Sequence, residues 1–149
     1  MLKDLGKLEH FVGCHLIEGK YMSIHQPKLL KHLKEEFQKL MGPLKEYKTP
    51  AGPKTVTIHP QPKDPLIKHE DQSIYRSGVG MLFYLVKHSG PEISNAVREL
   101  SKVCDGATQC HRKALIRTIQ YVLNTETIGL KIKPKEFNGK YILEGISDS

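Results

Sequence analysis

The first 41 residues show two different spacings of hydrophobic positions. From Lys7 to His25 apolar and polar residues alternate on both sides of a short polar interruption at residues 18–20, which is typical of a β-hairpin. Over residues 27–41 the apolar residues return every three or four positions until Gly42-Pro43, which predicts one amphipathic helix. The chain is therefore expected to begin with a hairpin that leads into a helix.

The segment 43–71 has no periodicity and holds most of the prolines. It is expected to be an extended connector that can still cross the surface in an ordered way. A second helix is predicted from near Asp71 or Ser73 to about His88. Its expected buried residues are Val79, Leu82, Phe83 and Val86.

Two glycines, Gly78 and Gly80, lie inside this predicted second helix. A glycine in a helix costs about 0.5–1 kcal/mol relative to alanine. That cost is understandable where another part of the backbone approaches closely, so both glycines are expected to mark a close contact.

Two more helices are predicted after the second. Pro91 opens a third helix that ends at Asp105-Gly106, and Thr108 caps a fourth that Asn124 can end in a left-handed conformation. The predicted apolar stripe of the third helix consists of Ile93, Ala96, Val97, Leu100 and Val103. Together these elements predict a cluster of about four helices.

The end of the chain has a second hairpin pattern. Strands are predicted over residues 128–133 and 140–147, and Asn138-Gly139 between them is a strong turn signal. The predicted fold class is α+β: an N-terminal β-hairpin, a helical cluster with a Pro-rich connector, and a C-terminal β-hairpin. The unpaired edge of that last hairpin is expected to make the isolated chain poorly soluble.

The net charge is more informative about function than the composition is. The 149 residues carry a formal net charge of +7 with 38% hydrophobic residues. A surplus of Lys and Arg favours nucleic acid as the partner, although a solvated basic surface without a partner is the open alternative. There is no apolar run long enough for a membrane span and no secretory signal, so we expect an intracellular protein without a membrane partner.

No complete catalytic or metal-binding motif is visible. Three cysteines, Cys14, Cys104 and Cys110, are an odd set without disulfide-framework spacing and are expected to act as small apolar residues. Their spacing from each other and from His15 and His111 does not fit a zinc site. There is also no Gly-x-Ser-x-Gly elbow and no phosphate-binding glycine loop.

Several stretches, taken in order, carry a family resemblance: "LKDLGKLEHFVGCHL", "SIHQPKLLKHLKEEF", "YKTPAGP", "YRSGVGMLFYLVKHSGPEISNAVRELSKV", "HRKALIRTIQYVLNT", "GLKI" and "LEGISDS". They resemble the polyprotein of copia-type retrotransposons downstream of its polymerase catalytic motif, over essentially the whole chain. Two departures stand out. The family's Thr-Arg-Pro-Asp-Ile block reads Ser-Gly-Pro-Glu-Ile from Ser89, and Arg112 replaces the usual tryptophan.

The resemblance implies a division of the chain within a reverse transcriptase. Residues 1–26 would be the end of the palm near the primer terminus, 27–125 the thumb and connection, and 126–149 the truncated start of ribonuclease H. Asp148 would then be the first catalytic, metal-binding carboxylate of ribonuclease H, with Mg²⁺ bound only in the full-length parent. The polymerase Tyr-x-Asp-Asp strand is absent, so the chain alone is expected to be inactive and to hold no cofactor.

The expected role is to grip an RNA–DNA hybrid or duplex by its phosphates, together with the palm, fingers and ribonuclease H parts of the same polyprotein. The candidate contacts are Lys28, Lys31, Lys34, Arg76, Arg112, Lys113 and Arg117. In the cell the parent would reside in a cytoplasmic particle or in the nucleus. Two alternatives remain open: a non-functional remnant of a decayed element, and an unrelated basic helical nucleic-acid-binding module.

Overall fold

The computed structural model describes residues 8–19, 21–52 and 64–132 as an α+β fold. Four helices enclose the hydrophobic core, and four antiparallel strands form a sheet with the order β1-β2-β3-β4. The strands are β1 His10–Phe11, β2 Cys14–Glu18, β3 Met22–His25 and β4 Leu130–Ile132. The helices are α1 Pro27–Met41, α2 His69–His88, α3 Ser94–Ser101 and α4 Gln109–Asn124, with a short 3₁₀ turn, Pro91–Ile93, before α3.

The predicted N-terminal hairpin is confirmed as β2 and β3, which pair antiparallel with Glu18 opposite Met22. Another tight turn lies before this hairpin. There β1 pairs antiparallel with β2, and the turn between them consists of Val12 (φ 47°) and Gly13 (φ 72°). Two positive φ angles give the turn the twist that tight hairpins favour. A valine there is strained, since β-branched residues rarely adopt positive φ.

Strand β4 adds to the far edge of this hairpin. It pairs antiparallel with β3, with Leu130 opposite Ile24 and Ile132 opposite Met22. Gly129 allows the approach, because a Cβ there would lie 2.5 Å from the carbonyl oxygen of Ile24. The first part of the predicted C-terminal hairpin thus joins the N-terminal sheet, while residues 140–147 and the turn at 138–139 lie outside the described residues.

Helix α1 has the predicted bounds, 27–41. Pro27 lies in the first turn, where its missing N–H costs nothing, and Gly42 follows the last turn with φ 63°. The buried stripe is Leu30, Leu33, Phe37 and Met41. The lysines of α1 lie on the opposite face and are exposed.

Helix α2 begins at His69, slightly before the predicted start, and buries Val79 and Leu82 as expected. Phe83 is 45% exposed, so its predicted burial is wrong. The buried stripe instead continues to Leu85. Phe83 lies about 100° around the helix from Leu82, on a side that no element of the described residues covers.

The two glycines of α2 differ. A Cβ at Gly78 would lie 2.5 Å from the Phe37 ring, so this glycine does mark a close contact, with a side chain rather than with backbone. A Cβ at Gly80 would meet no atom of the described residues within 4 Å, so the predicted close contact is not found among them.

Helix α4 starts at the predicted cap. Thr108 and His111 form a capping box, in which the Thr108 N–H donates to His111 Nδ1 at 3.0 Å. Its predicted left-handed end at Asn124 is wrong: Asn124 is helical, and the cap residue Thr125 has φ −111°. The Asn124 side chain instead donates to the Lys45 carbonyl oxygen at 2.6 Å.

That bond belongs to a row of contacts between α4 and residues 43–52, which we name the strap. Gln120 Nε2 donates to the carbonyl oxygens of Met41 at 3.3 Å and Pro43 at 3.2 Å. The Thr118 hydroxyl donates to the Pro50 carbonyl oxygen at 3.1 Å. The first part of the Pro-rich connector therefore crosses the surface in an ordered way.

None of the helices in the described ranges is long and apolar enough to cross a membrane.

Candidate nucleic-acid interface

An open groove of about 590 Å³ separates the sheet from α1 and the end of α4. The sheet contributes one wall, the exposed side of α1 contributes the other, and the residues after α4 close one end. The lining residues are His15, Ile17, His25, Pro27, Leu30, Lys31, Lys34, Leu123, Glu126 and Thr127. Its volume lies in the range of ligand-binding clefts, about 300–1,000 Å³.

Strand pairing aligns the histidines on the sheet wall. His15 is directly opposite His10 on β1 and opposite His25 on β3, so all three share one face of the sheet. The His10 and His15 rings stack with centroids 4.9 Å apart. Imidazole N–H groups and flat ring faces on this wall can contact phosphates, sugars or bases.

Lys31 and Lys34 form the basic part of the α1 wall. Lys31 also makes an ion pair with Glu35 at 4.0 Å, but both side chains are largely exposed, so the pair is weak. Lys28 is exposed one turn earlier and does not line the groove. Glu126 also lines the groove, and its negative charge makes the groove less basic than the two lysines alone would make it.

The other candidate contacts lie on α2 and α4. Arg76 and Lys113 are exposed, so their cationic groups are available to a partner. Arg112 is half-buried and pairs with Asp71 on α2, with 3.3 Å between Arg112 Nη1 and Asp71 Oδ2. Its charge therefore has a protein partner already.

Arg117 is half-buried and contacts the strap. Its guanidinium lies 4.4 Å from the centroid of the Tyr47 ring, and Nη2 donates to Thr49 Oγ1 at 3.1 Å. Arg117 thus ties α4 to the strap. The structure places Lys31 and Lys34 together on the groove, and it places Arg112 and Arg117 in contacts within the fold.

The start of α4 is a polar cluster that includes Cys110. The Thr108 hydroxyl donates to Asp64 Oδ2 at 2.5 Å, and the Cys110 N–H donates to the same oxygen at 3.3 Å. Hydrogen bonds from the side chains of Cys110 and Thr108 hold the pKa of the Asp64 carboxyl below its usual range. Burial, followed by the bond to Asp64, raises the pKa of the Cys110 thiol, which disfavours the reactive thiolate.

Burial raises the pKa of the other two thiols, Cys14 and Cys104, as well. In the part of the chain that the structure describes, no group of three His, Cys, Asp or Glu residues could hold a metal ion. Asp148, the predicted first ribonuclease H carboxylate, lies outside the described residues.

Sequence reasoning missed the histidine wall. The alternating pattern around residues 18–20 contained the necessary signal, because a hairpin turning there places His15 and His25 on the same side of the sheet. What the local pattern could not reveal is that α1 turns back to face them across the groove.

The amino-acid sequence of this chain is similar to that of a retrotransposon polyprotein. Over 86 residues the chain is 37% identical to the Retrovirus-related Pol polyprotein from transposon RE1 of Arabidopsis thaliana. The aligned stretch covers 56% of this chain and 6% of that protein, so the chain spans a small part of its relative's length. No family model and no solved structure matches the chain. The chain is thus similar to one part of a retrotransposon polyprotein.

Proposed function

We propose that this chain is part of the reverse transcriptase of a copia-type retrotransposon, comprising the end of the palm, the thumb, the connection and the start of ribonuclease H. Its role is to grip the template-primer duplex. The similarity to a Pol polyprotein supports the element class, and the ordered motifs support the position within the polyprotein. The observation that carries the proposal is the groove that brings Lys31 and Lys34 opposite His15 and His25.

The groove suits a phosphate backbone for a physical reason. Lysine ammonium groups are flexible point charges that attract phosphates without reading bases. Pro27 begins α1 directly after Gln26 and His25, so the two walls are joined by a short connection and keep their spacing. Binding of this kind is indifferent to sequence. It weakens as salt rises, because the lysines release counterions from the nucleic acid and this release is less favourable at a high salt concentration.

The proposal gives binding and catalysis to different parts of the parent protein. Two-metal chemistry needs several carboxylates around paired ions, and the Tyr-x-Asp-Asp strand is not in this sequence. In the full-length parent, Asp148 would contribute to a Mg²⁺ site of ribonuclease H. The chain alone would hold nucleic acid inside the cell without copying or cleaving it.

The test is a binding titration of the whole chain with a labelled RNA–DNA hybrid. Fluorescence anisotropy measures the affinity at several salt concentrations. The double variant Lys31→Gln/Lys34→Gln removes two charges from the groove. If each lysine neutralises one phosphate, the slope of log affinity against log salt becomes shallower by about 2. Affinity at low salt falls for hybrids of every sequence.

The matched control is Lys48→Gln/Lys87→Gln, which removes the same charge from two exposed lysines that do not line the groove. Its salt slope is expected to stay closer to that of the unmodified chain. Equal slopes for the two double variants would refute the groove as the binding site. Failure of the unmodified chain to bind at low salt would refute nucleic-acid gripping altogether and would favour a non-functional remnant.

A further inference from the structure

Three buried glutamines allow an internal comparison of side-chain amides. Gln72 Nε2 donates to the Ala107 carbonyl oxygen at 2.9 Å, and Gln120 Nε2 donates to the carbonyl oxygens of Met41 and Pro43. Gln26 is only 1% exposed, yet its Nε2 has no hydrogen-bond partner among the described residues. A buried donor without a partner destabilises the fold, so this amide requires an explanation.

Reversing the Gln26 amide does not remove the problem. The Ser89 hydroxyl donates to Gln26 Oε1 at 2.8 Å, across 63 residues of sequence. If nitrogen and oxygen exchanged places, Nε2 would contact Ser89 and Oε1 would become the atom without a partner. In either orientation one polar amide atom needs a partner that the described residues do not supply.

A small cavity lies against this amide. Its volume is about 20 Å³, and Gln26 and Ser89 are among its lining residues. This volume is the space open to the centre of a water-sized sphere, and one water molecule needs about 10–15 Å³ of it. The cavity therefore accommodates one water molecule and little more.

The opposite side of the cavity offers acceptors. Val122, Thr125 and Glu126, at and just beyond the end of α4, line it. The carbonyl oxygens of Val122 and Thr125 accept from the N–H groups of Thr125 at 3.3 Å and Ile128 at 2.8 Å. Each carbonyl oxygen has a second lone pair, and the Glu126 carboxylate is a further acceptor. A molecule placed here would have a donor on one side and acceptors on the other.

We propose that this cavity is a binding site for one structural water molecule. The water accepts a hydrogen bond from Gln26 Nε2 and donates to oxygen atoms at the end of α4. It thereby joins the β3–α1 junction, the Ser89 turn after α2 and the end of α4. His25, Leu30 and Glu126 line both this cavity and the groove, so the water lies beneath the groove floor. The site does not depend on nucleic-acid binding.

The test is NMR of the whole chain labelled with ¹⁵N, recording NOE and ROE transfer from water to glutamine side-chain amides. A long-lived bound water gives cross-peaks of opposite sign in the two experiments, whereas proton exchange gives the same sign. We expect opposite-signed cross-peaks at Gln26 Nε2 and none at Gln72 or Gln120, whose amide donors are satisfied by carbonyl oxygens.

The hydroxyl groups of Ser89 and Thr125 could relay such a signal, so the control removes them as Ser89→Ala and Thr125→Val, singly and together. Persistence of the Gln26 cross-peak in these variants supports the bound water. Absence of the cross-peak in the unmodified chain overturns the proposal. Loss of the Gln26 cross-peak in every variant also overturns the proposal, as do equal cross-peaks at all three glutamines.

Discussion

The basic residues of α1 and α4 have the same sign of charge but different surroundings. On α1, Lys31 and Lys34 lie on the groove, and Lys34 has no ion pair among the described residues. On α4, Arg112 pairs with Asp71, and Arg117 packs on Tyr47 and Thr49. Sequence pattern grouped these cations as one binding set, whereas their environments divide them into groove residues and residues that also brace the fold.

This difference has a chemical basis. The arginine guanidinium is planar and has a fixed fork of donors, so it can stack on a ring and bond to an oxygen at the same time. The lysine ammonium is strongly hydrated and remains a mobile charge on a flexible stem. We therefore expect changes on the strap side of α4 to alter stability first, and changes on the groove side of α1 to alter binding first.

The largest expected effect is at Gln120, the buried residue that joins α4 to the strap. Gln120→Leu removes the donor to the carbonyl oxygens of Met41 and Pro43. The loss of one buried and one partly buried hydrogen bond is expected to lower the free energy of unfolding by about 2 kcal/mol. Urea denaturation measures this, with Gln38→Leu on the exposed face of α1 as the matched control, expected within about 0.5 kcal/mol of the unmodified chain. Equal effects at the two positions would show that the strap contributes little.

Arg117 is expected to give the next largest effect. Arg117→Ala removes the contact with the Tyr47 ring and the hydrogen bond to Thr49, which together should cost about 1–2 kcal/mol of stability. Arg117→Lys keeps the charge but loses the planar fork, so it should restore only part of the loss.

The matched arginine control is Arg76→Ala, because Arg76 is exposed on α2. Comparing the melting temperatures of Arg117→Ala, Arg117→Lys and Arg76→Ala separates the effect of the charge from the effect of the packing. A full recovery of stability in Arg117→Lys would indicate that the positive charge, and not the stacked geometry, holds the strap.

Acid should weaken the start of α4 through Asp64. The folded-state pKa of this carboxyl lies below its unfolded value of about 3.9. Its contribution to stability is therefore fully present above about pH 4 and is lost as pH falls through the lower folded pKa. Asp64→Asn should flatten this part of the profile of melting temperature against pH.

Glu99 also has a lowered pKa, chiefly because of its hydrogen bond from Lys102, so acid destabilisation should remain partly in Asp64→Asn. Adding Glu99→Gln should reduce the remaining dependence. An unchanged pH profile in Asp64→Asn would exclude the contribution of Asp64 to α4.

The sequence predicted the elements whose limits are set by local chemistry. Pro27 and Gly42 define α1, and Thr108 caps α4, because proline, glycine and threonine act on the backbone within one turn. Residues 18–20 interrupt the alternation where the β2–β3 hairpin turns. These signals need no knowledge of the rest of the fold.

The errors and omissions involve contacts between distant residues. Phe83 is exposed because none of the described residues covers its side of α2. Asn124 stays helical while its amide reaches Lys45, 79 residues away in sequence. The pairing of β4 with β3 has no local signal either. The groove was missed for the same reason, since its two walls are adjacent in sequence but its shape depends on where α4 ends.

The smallest expected effect on stability is at the groove lysines, and it completes the comparison. Lys31 and Glu35 are 79% and 62% exposed, and such helical ion pairs contribute about 0.3–0.5 kcal/mol. Lys31→Gln/Lys34→Gln should therefore change the free energy of unfolding by no more than about 0.5 kcal/mol, while it weakens hybrid binding. Urea denaturation and anisotropy on the same samples separate the two quantities. A loss of stability as large as that of Arg117→Ala would mean that the lysines also brace the fold, and the division between α1 and α4 would fail.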